Sequence, residues 1–153
     1  MYKRQVVDVA KAFITQQIRP IKDRRFIHTI INEGKKEYLL DAYLPMVSEK
    51  EKWGYTEDKL LWAKTNEEQI WRYFIEKQLL YSSNLKLNKR FIEIGPFSKF
   101  YLSQDNLSPS RIGVWIGAQI VHAYMKNNKV SLQELMRVEA SELFKKSNYK
   151  PKR

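Results

Sequence analysis

The sequence predicts an all-α protein that folds as a compact multi-helix bundle. Apolar residues recur at helical spacing through several long segments, and no segment alternates apolar and polar residues between turn signals, as a strand would. The chain has 153 residues, of which 43% are hydrophobic and 13% aromatic, so it can bury one core without a disulfide or a metal. We therefore expect five or six helices in a single domain over residues 6–146.

The first two helices are predicted over residues 6–18 and 22–44. Apolar side chains form a helical stripe in each segment. Pro20 and Pro45 end these helices, because proline disfavours helix in the residue before it. Gly34 lies inside the second stripe, at a cost of about 1 kcal/mol relative to Ala.

A loop is expected over the polar, charged segment 48–53, and the longest helix follows over residues 57–80. Thr56 is a good N-cap for that helix. The next segment is mixed in character. A Gly-Pro turn signal precedes residues 97–102, which are expected to form a short helical turn.

Two further helices complete the predicted bundle. The dipeptide Ser108-Pro109 predicts the start of a helix, with Ser at the N-cap and Pro at the first helical position, that ends near Asn127. A capping box over residues 131–134, of the pattern Ser-x-x-Glu, opens a last helical region through residue 146. A break is expected in it near Val138.

Small and aromatic side chains mark where these helices pack. Gly113 and Gly117 are four residues apart on one helix face and are expected to let another helix approach closely. The run of aromatics around Arg72 predicts a buried central helix or an interaction surface, with Arg72 stacked on a ring or paired with a glutamate four residues away. The candidates for organising the core or making contacts are Trp71, Arg72, Tyr73, Arg111 and Trp115.

The chain is strongly basic, with a formal net charge of +11 and no cysteine. One interpretation is solvated helix faces followed by a solvated basic tail over residues 147–153; the other is attraction to nucleic acid or a membrane surface. The first is favoured because the lysines and arginines are scattered among 17 acids. No nucleic-acid partner is expected. Residues 1–5 resemble a translated adapter sequence and are expected not to be native.

Catalytic motifs are lacking in the sequence. It contains neither a glycine-rich phosphate loop nor a nucleophile elbow, and its two histidines, His28 and His122, lie far apart. We expect no catalytic residue and no cofactor.

One segment is similar to a motif of zinc peptidases of the gluzincin type. Asn32-Glu33-Gly34 resembles the motif whose glutamate supplies the third zinc ligand, downstream of a helix that bears His-Glu-x-x-His. The matching positions of the first helix are Val7, Asp8 and Lys11. Val7 cannot bind a metal, and Lys11 would place an ammonium where a neutral ligand is required. The sequence therefore predicts no metal site, with Asp8, Lys11 and Glu33 as its vestigial positions.

From residue 53 to the C-terminus the chain resembles the C-terminal half of the gliding motility lipoproteins of the GldB family. The segment 6–44 fits the part just before it. The sequence departs from the family at Ser110, where Gly is expected, and in the divergent loop 47–52. The motifs that carry the resemblance follow in order: Gly54-Tyr55-Thr56-Glu57, Trp71-Arg72-Tyr73-Phe74-Ile75-Glu76, Leu79-Leu80-Tyr81-Ser82-Ser83, Pro96-Phe97-Ser98-Lys99-Phe100-Tyr101-Leu102, Ser108-Pro109-Ser110-Arg111-Ile112-Gly113-Val114-Trp115-Ile116-Gly117, Ser131-Leu132-Gln133-Glu134-Leu135 and Lys146-Ser147-Asn148-Tyr149-Lys150-Pro151.

The resemblance implies a fold similar to the helical C-terminal part of a zincin-like, gluzincin fold. It also implies a lipid-anchored component of the cell envelope that is required for bacterial gliding motility and has no established enzymatic activity. Its partners would be other envelope proteins of gliding or secretion, and its membrane contact a lipid anchor outside this chain. The alternative is a zinc metallopeptidase, active or remnant, whose ligands lie partly upstream.

Overall fold

The computed structural model describes residues 2–153, and in these residues it contains helices and no strand. The predicted all-α class is therefore confirmed. No helix in residues 2–153 is both long enough and apolar enough to cross a membrane. A 3₁₀ turn, Asp105–Leu107, precedes α7, and the helices are α1 (Tyr2–Gln17), α2 (Phe26–Tyr43), α3 (Glu49–Trp53), α4 (Glu57–Thr65), α5 (Glu67–Glu76), α6 (Lys86–Phe91), α7 (Ile112–Asn127), α8 (Leu132–Arg137) and α9 (Ala140–Ser147).

Helices α2 and α7 form the centre of the bundle, and their backbones meet at glycines. A Cβ atom built on Gly117 would lie 1.8 Å from the carbonyl oxygen of Ile30, and one on Gly34 would lie 2.3 Å from the carbonyl carbon of Gly117. Only a glycine allows backbones to approach this closely. The expected role of Gly117 in close helix approach is confirmed, and Gly34 is its counterpart on α2.

Apolar side chains are buried in two groups. The larger surrounds α2 and α7 and includes a set of rings packed edge to face, such as Phe26 on Phe74 at 5.2 Å between centroids. The smaller lies beneath α1, where Val7 and Ile14 contact Leu39 of α2. Helix α1 is thus held on the bundle by one stripe of its surface.

The predicted long helix over residues 57–80 is wrong, because the structure has two helices there. The side-chain amide of Asn66 donates to the carbonyl oxygen of Trp62 at 2.8 Å, and the backbone of Asn66 leaves helical geometry. Helix α5 ends at Glu76, and Gln78 follows with a φ of 56°. The backbone amide of Asn66 donates to the same carbonyl at 3.0 Å, so both groups of this residue bind the last turn of the first helix.

The predicted loop over residues 48–53 is also wrong, because the structure has helix α3 there. The Ser48 hydroxyl accepts a hydrogen bond from the amide of Glu51 at 3.2 Å, and Gly54 ends the helix with a φ of 69°. These are standard start and stop residues of a helix, so a short helix is stable here. The polar character of the segment reflects its position on the surface.

Helix α2 begins at Phe26 and not at residue 22, since its first amides find partners in another segment. The amides of Phe26 and Ile27 donate to the carbonyl oxygens of Ser82 and Leu80, both at 2.8 Å. The first amides of a helix lack partners within the helix, so this contact determines where α2 begins. Helix α6 was not predicted at all.

Helix α7 begins after Arg111, and not at Ser108-Pro109 as predicted. The Ser98 hydroxyl, which is fully buried, accepts from the amide of Ile112 at 3.2 Å and donates to the carbonyl oxygen of Pro109 at 2.7 Å. Ser98 therefore caps α7 from a distant segment. The expected helical turn over 97–102 is wrong, because that segment is irregular.

The predicted end of the bundle is largely confirmed. The Ser131 hydroxyl accepts from the amide of Glu134 at 3.1 Å, and the expected break falls at Val138, between α8 and α9. The tail is not wholly solvated. Ser147 is buried, and the Tyr149 hydroxyl donates to the carboxylate of Glu67 at 2.7 Å.

Candidate functional site

Glu37 joins α1, α2 and the N-terminus of α7 through two cations. Its Oε1 atom lies 2.8 Å from the Arg111 guanidinium and 3.3 Å from the Lys11 ammonium. The Glu37 side chain is only 4% exposed. Burial lowers the pKa of Lys11, and the neighbouring carboxylate of Glu37 opposes that shift in part. This arrangement is a structural ion cluster, because each charged group is satisfied by the others.

Arg111 also connects the segment before α7 to the Trp53 ring of α3. Its guanidinium lies over the Trp53 ring, 5.3 Å from the centroid, and its backbone adopts a φ of 60° just before α7. The Trp53 ring is stacked on Tyr55, whose hydroxyl donates to the carbonyl oxygen of Ser110 at 2.5 Å. Burial raises the pKa of Tyr55. The loop before α7 is thereby fixed to α3.

The positions that the zinc-peptidase motif indicates do not form a metal site. Val7 is buried in the core beneath α1, and Asp8 is exposed beside Arg4 at 3.5 Å. Lys11 contacts Glu37, whereas Glu33 is paired with Lys36 at 3.1 Å. In the described part of the chain no three histidine or acidic side chains group closely enough to hold a metal ion. The donor set does not fit zinc, since an apolar side chain and an ammonium stand where imidazoles are required.

Two of the three candidates on α5, Trp71 and Tyr73, pack against neighbouring segments. Trp71 packs edge to face on Tyr149, with 5.0 Å between ring centroids. The Tyr73 hydroxyl donates to the carbonyl oxygen of Phe100 at 2.7 Å, and Arg72 pairs with Glu68 at 2.8 Å on the surface. The pairing of Arg72 with a glutamate four residues away is thus confirmed.

The buried Trp115 shares a cavity with two polar side chains, Asp41 and His122, whose proximity the sequence did not indicate. The ring is 2% exposed, and its Nε1 atom has no hydrogen-bond partner among the described residues. It lines a cavity of about 610 Å³ together with Asp41 and His122. Burial alone would raise the pKa of Asp41, but the His122 and Lys52 side chains beside it lower that pKa overall.

Three charged residues with structural importance were missed by sequence reasoning. Glu37 is seven residues after the buried Ile30, and Lys35 is four residues after the buried Ile31, so helical spacing could have identified both as inward-facing. Lys59 donates to three carbonyl oxygens, those of Pro96, Asn106 and Ser108, at 3.0, 3.0 and 2.6 Å. No local pattern indicates this contact.

Comparison with known protein families matches residues 2–151 to the family described as gliding motility protein GldB. The chain belongs to the GldB family. The match covers nearly the whole sequence, including the α1–α2 segment, so the resemblance predicted from residue 53 onward extends to the first two helices. Comparisons with curated proteins and with solved structures gave no match. The likeness of this GldB-family chain to the gluzincin fold therefore stays a prediction.

Proposed function

We propose that this GldB-family chain is a non-catalytic component of the cell envelope that serves gliding motility through contacts with other proteins. Family membership supports the motility role and the envelope location, with a lipid anchor on the full-length protein. The observation that carries the non-catalytic part is the chemistry at the zincin-like positions. Lys11 is committed to the ion cluster with Glu37 and Arg111, and Val7 is committed to the core.

The surface of α1 supports a role in protein contacts. One face of this helix is held by buried residues, while Val6, Val9 and Phe13 share the opposite face and are 46%, 70% and 57% exposed. Exposed apolar residues grouped on one helix face are typical of contact surfaces between proteins. The partner we propose is another envelope protein of the gliding apparatus.

Zinc analysis tests the non-catalytic part. We expect the purified protein to hold far less than one equivalent of zinc after dialysis against zinc-containing buffer, and Glu33→Ala to change nothing. One equivalent of zinc in the native protein, lost in Glu33→Ala, would overturn this part of the proposal and favour the metallopeptidase alternative.

Gliding of cells that lack their own GldB protein tests the contact surface. A rescuing gene that carries Val9→Asp and Phe13→Asp should restore gliding less well than the native gene at equal protein abundance. Thr15→Asp on α1, which is exposed outside the apolar face, is the matched control and should rescue fully. Equal rescue by all three genes would contradict the assignment of this face to a motility contact.

A further inference from the structure

A basic cavity of about 560 Å³ lies on the side of α2 that faces α9, away from the ion cluster of Glu37. The loop between α1 and α2 and the connection between α8 and α9 form its other walls. His28, Asn32 and Lys35 lie on one face of α2, at intervals of four and three residues, and all three line it. The volume is within the range of pockets that hold small organic ligands.

The charges that line this cavity are unbalanced. Five lysine and arginine side chains line it against two carboxylates. Both carboxylates are already engaged, because Glu139 pairs with Arg19 at 3.3 Å, and Asp23 lies 3.5 Å from Arg25 and 3.4 Å from the Nδ1 atom of His28. In the described part of the chain no carboxylate oxygen lies within 4 Å of the other three cations, which are Lys22, Lys35 and Lys145.

Lys35 is the deepest of these cations. Its side chain is among the largest that are fully buried, at 1% exposed, and its ammonium donates to the carbonyl oxygen of Val138. A buried ammonium without a counter-ion is unfavourable, because one neutral acceptor does not replace its hydration. A protein retains such a group at a cost in stability, and an anion bound beside it would supply the missing charge.

The lining also indicates the kind of anion. Three ammonium groups without carboxylate partners suit a doubly charged group better than a single carboxylate. Apolar and aromatic side chains such as Ile27, Tyr81 and Phe144 line the rest of the cavity. Because inorganic phosphate alone would fill a small part of that volume, the remainder suits the organic portion of a ligand.

We propose that this cavity binds the phosphate group of an organic phosphate, with the Lys35 ammonium as the innermost contact and Lys22 and Lys145 at the rim. The headgroup of phosphatidic acid and a soluble phosphate monoester carry the same doubly charged group, so the chemistry of recognition is shared. Clefts lined by one sign of charge concentrate ions of the opposite sign. The proposal assigns a binding site to a surface that the motility contact on α1 does not use.

Calorimetric titration with glycerol phosphate and inorganic phosphate, and co-sedimentation with phosphatidylcholine vesicles with and without phosphatidic acid, test the proposal on the purified chain. Binding of inorganic phosphate alone would overturn the assignment to an organic phosphate. Saturable binding of either glycerol phosphate or the anionic vesicles is expected, with glycerol phosphate binding pointing to a soluble ester and vesicle binding alone to a headgroup. Lys35→Met should weaken that binding by about tenfold or more, because it removes a charged donor at the base of the site. No binding by any probe overturns the proposal.

The matched control is Lys89→Met, which removes the same charge from an exposed position on α6 that does not line the cavity. The Lys89→Met variant should bind the glycerol phosphate or the anionic vesicles with the same affinity as the native chain. Equal weakening in Lys89→Met and Lys35→Met would show general attraction to a basic protein and overturn the proposal. Should Lys35→Met fail to fold, the double variant Lys22→Met/Lys145→Met at the exposed rim makes the same test, and native affinity in it would likewise overturn the proposal.

Discussion

A methyl group at Gly117 would lie 1.8 Å from the carbonyl oxygen of Ile30, far inside the van der Waals contact distance of a carbon and an oxygen atom. The neighbouring atom is backbone of α2, so no side-chain rotation can relieve the overlap. Gly117→Ala would gain about 1 kcal/mol of helix propensity but would force the two central helices apart. We expect a net loss of at least about 3 kcal/mol in the free energy of unfolding, measured by urea denaturation.

Gly95 offers the control for this prediction. A Cβ atom there would meet its nearest neighbour, the carbonyl oxygen of Phe97, at 4.0 Å, which is an ordinary contact. Gly95→Ala should therefore change the free energy of unfolding by no more than about 0.5 kcal/mol. A Gly117→Ala variant as stable as Gly95→Ala would show that α2 and α7 are not packed this closely.

Lys35 gives the protein a pH-dependent stability of known sign. Burial, followed by the charge of Arg19, lowers its pKa from 10.5 to about 8. Below pH 8 Lys35 is protonated in both the folded and the unfolded chain. Burial of its ammonium then lowers the free energy of unfolding by about 3 kcal/mol. Between pH 8 and 10.5 the unfolded chain holds more protons, so this contribution to stability rises with pH.

Urea denaturation over that pH range measures the effect of Lys35. The difference in unfolding free energy between Lys35→Met and the native chain should favour the variant most at neutral pH and shrink by about 3 kcal/mol as the pH rises. Other titrating groups are common to both chains and cancel in the difference. A difference that does not vary with pH would show that the Lys35 ammonium is solvated.

At the scale of elements, Lys59 connects α4 to the irregular segment that precedes α7. Its ammonium donates to three carbonyl oxygens of residues 96–108, and burial lowers its pKa. Lys59→Met should leave these carbonyls without that donor and cost roughly 1–3 kcal/mol. We expect faster amide hydrogen exchange confined to residues 96–108. The control, Lys64→Met, removes an exposed lysine of the same helix that pairs with Glu49; the same increase in exchange there would contradict a specific role for Lys59.

The packing of the C-terminal tail on α5 makes a further prediction at this scale. Glu67 is 3% exposed, and the Tyr149 hydroxyl donates to its carboxylate. Tyr149→Phe keeps the ring on Trp71 but leaves a buried carboxylate without this donor, so a loss of roughly 1–3 kcal/mol is expected in thermal or urea unfolding. Arg72→Ala, which breaks only the surface pair with Glu68, should cost about 0.5 kcal/mol or less; an equal loss in both variants would refute the tail's contribution.

How far the sequence predicts these elements depends on where each helix terminus finds its partners. The helix that begins after Ser131 is capped by its own neighbours, and its start was correctly predicted from the local pattern. Helices α2 and α7 begin where distant groups, the Ser82 carbonyl and the Ser98 hydroxyl, satisfy their first amides. No local pattern contains that information. The residue types alone indicated that Val7 and Lys11 do not suit a zinc site. The pairing of Lys11 with Glu37 could not be predicted in this way, because it depends on how α1 packs on α2.

At the scale of the whole molecule, the net charge of +11 is unevenly arranged. Inside the bundle, cations such as Lys11 and Arg111 are matched by Glu37, whereas the cavity beside Lys35 is left with cations that have no carboxylate partner in the described residues. The first arrangement stabilises the fold, and the second creates a local attraction for anions. The absence of a nucleic-acid partner stays a prediction.

Because Glu37 connects α1, α2 and the start of α7, replacing it should lower the free energy of unfolding of the whole molecule. Glu37→Gln would leave the Lys11 and Arg111 cations together without a carboxylate, and removing one partner of a buried ion pair costs about 3–5 kcal/mol. Adding Lys11→Met to Glu37→Gln removes one of the two repelling cations. The double variant should therefore be more stable than Glu37→Gln alone, although Lys11→Met by itself removes a favourable pair.

A double-mutant cycle on Lys11 and Glu37, measured by urea denaturation, gives the coupling between α1 and α2 directly. A coupling of about 1 kcal/mol or more is expected, since Glu37 is buried and Lys11 is 24% exposed. The exposed pair of Lys146 and Glu142 within α9 is the control and should show no measurable coupling, because solvent screens its charges. Equal coupling in the two pairs would mean that the residues at the zincin-like positions contribute no more to the fold than a surface ion pair, and the structural account of why this helix bears Lys11 would fail.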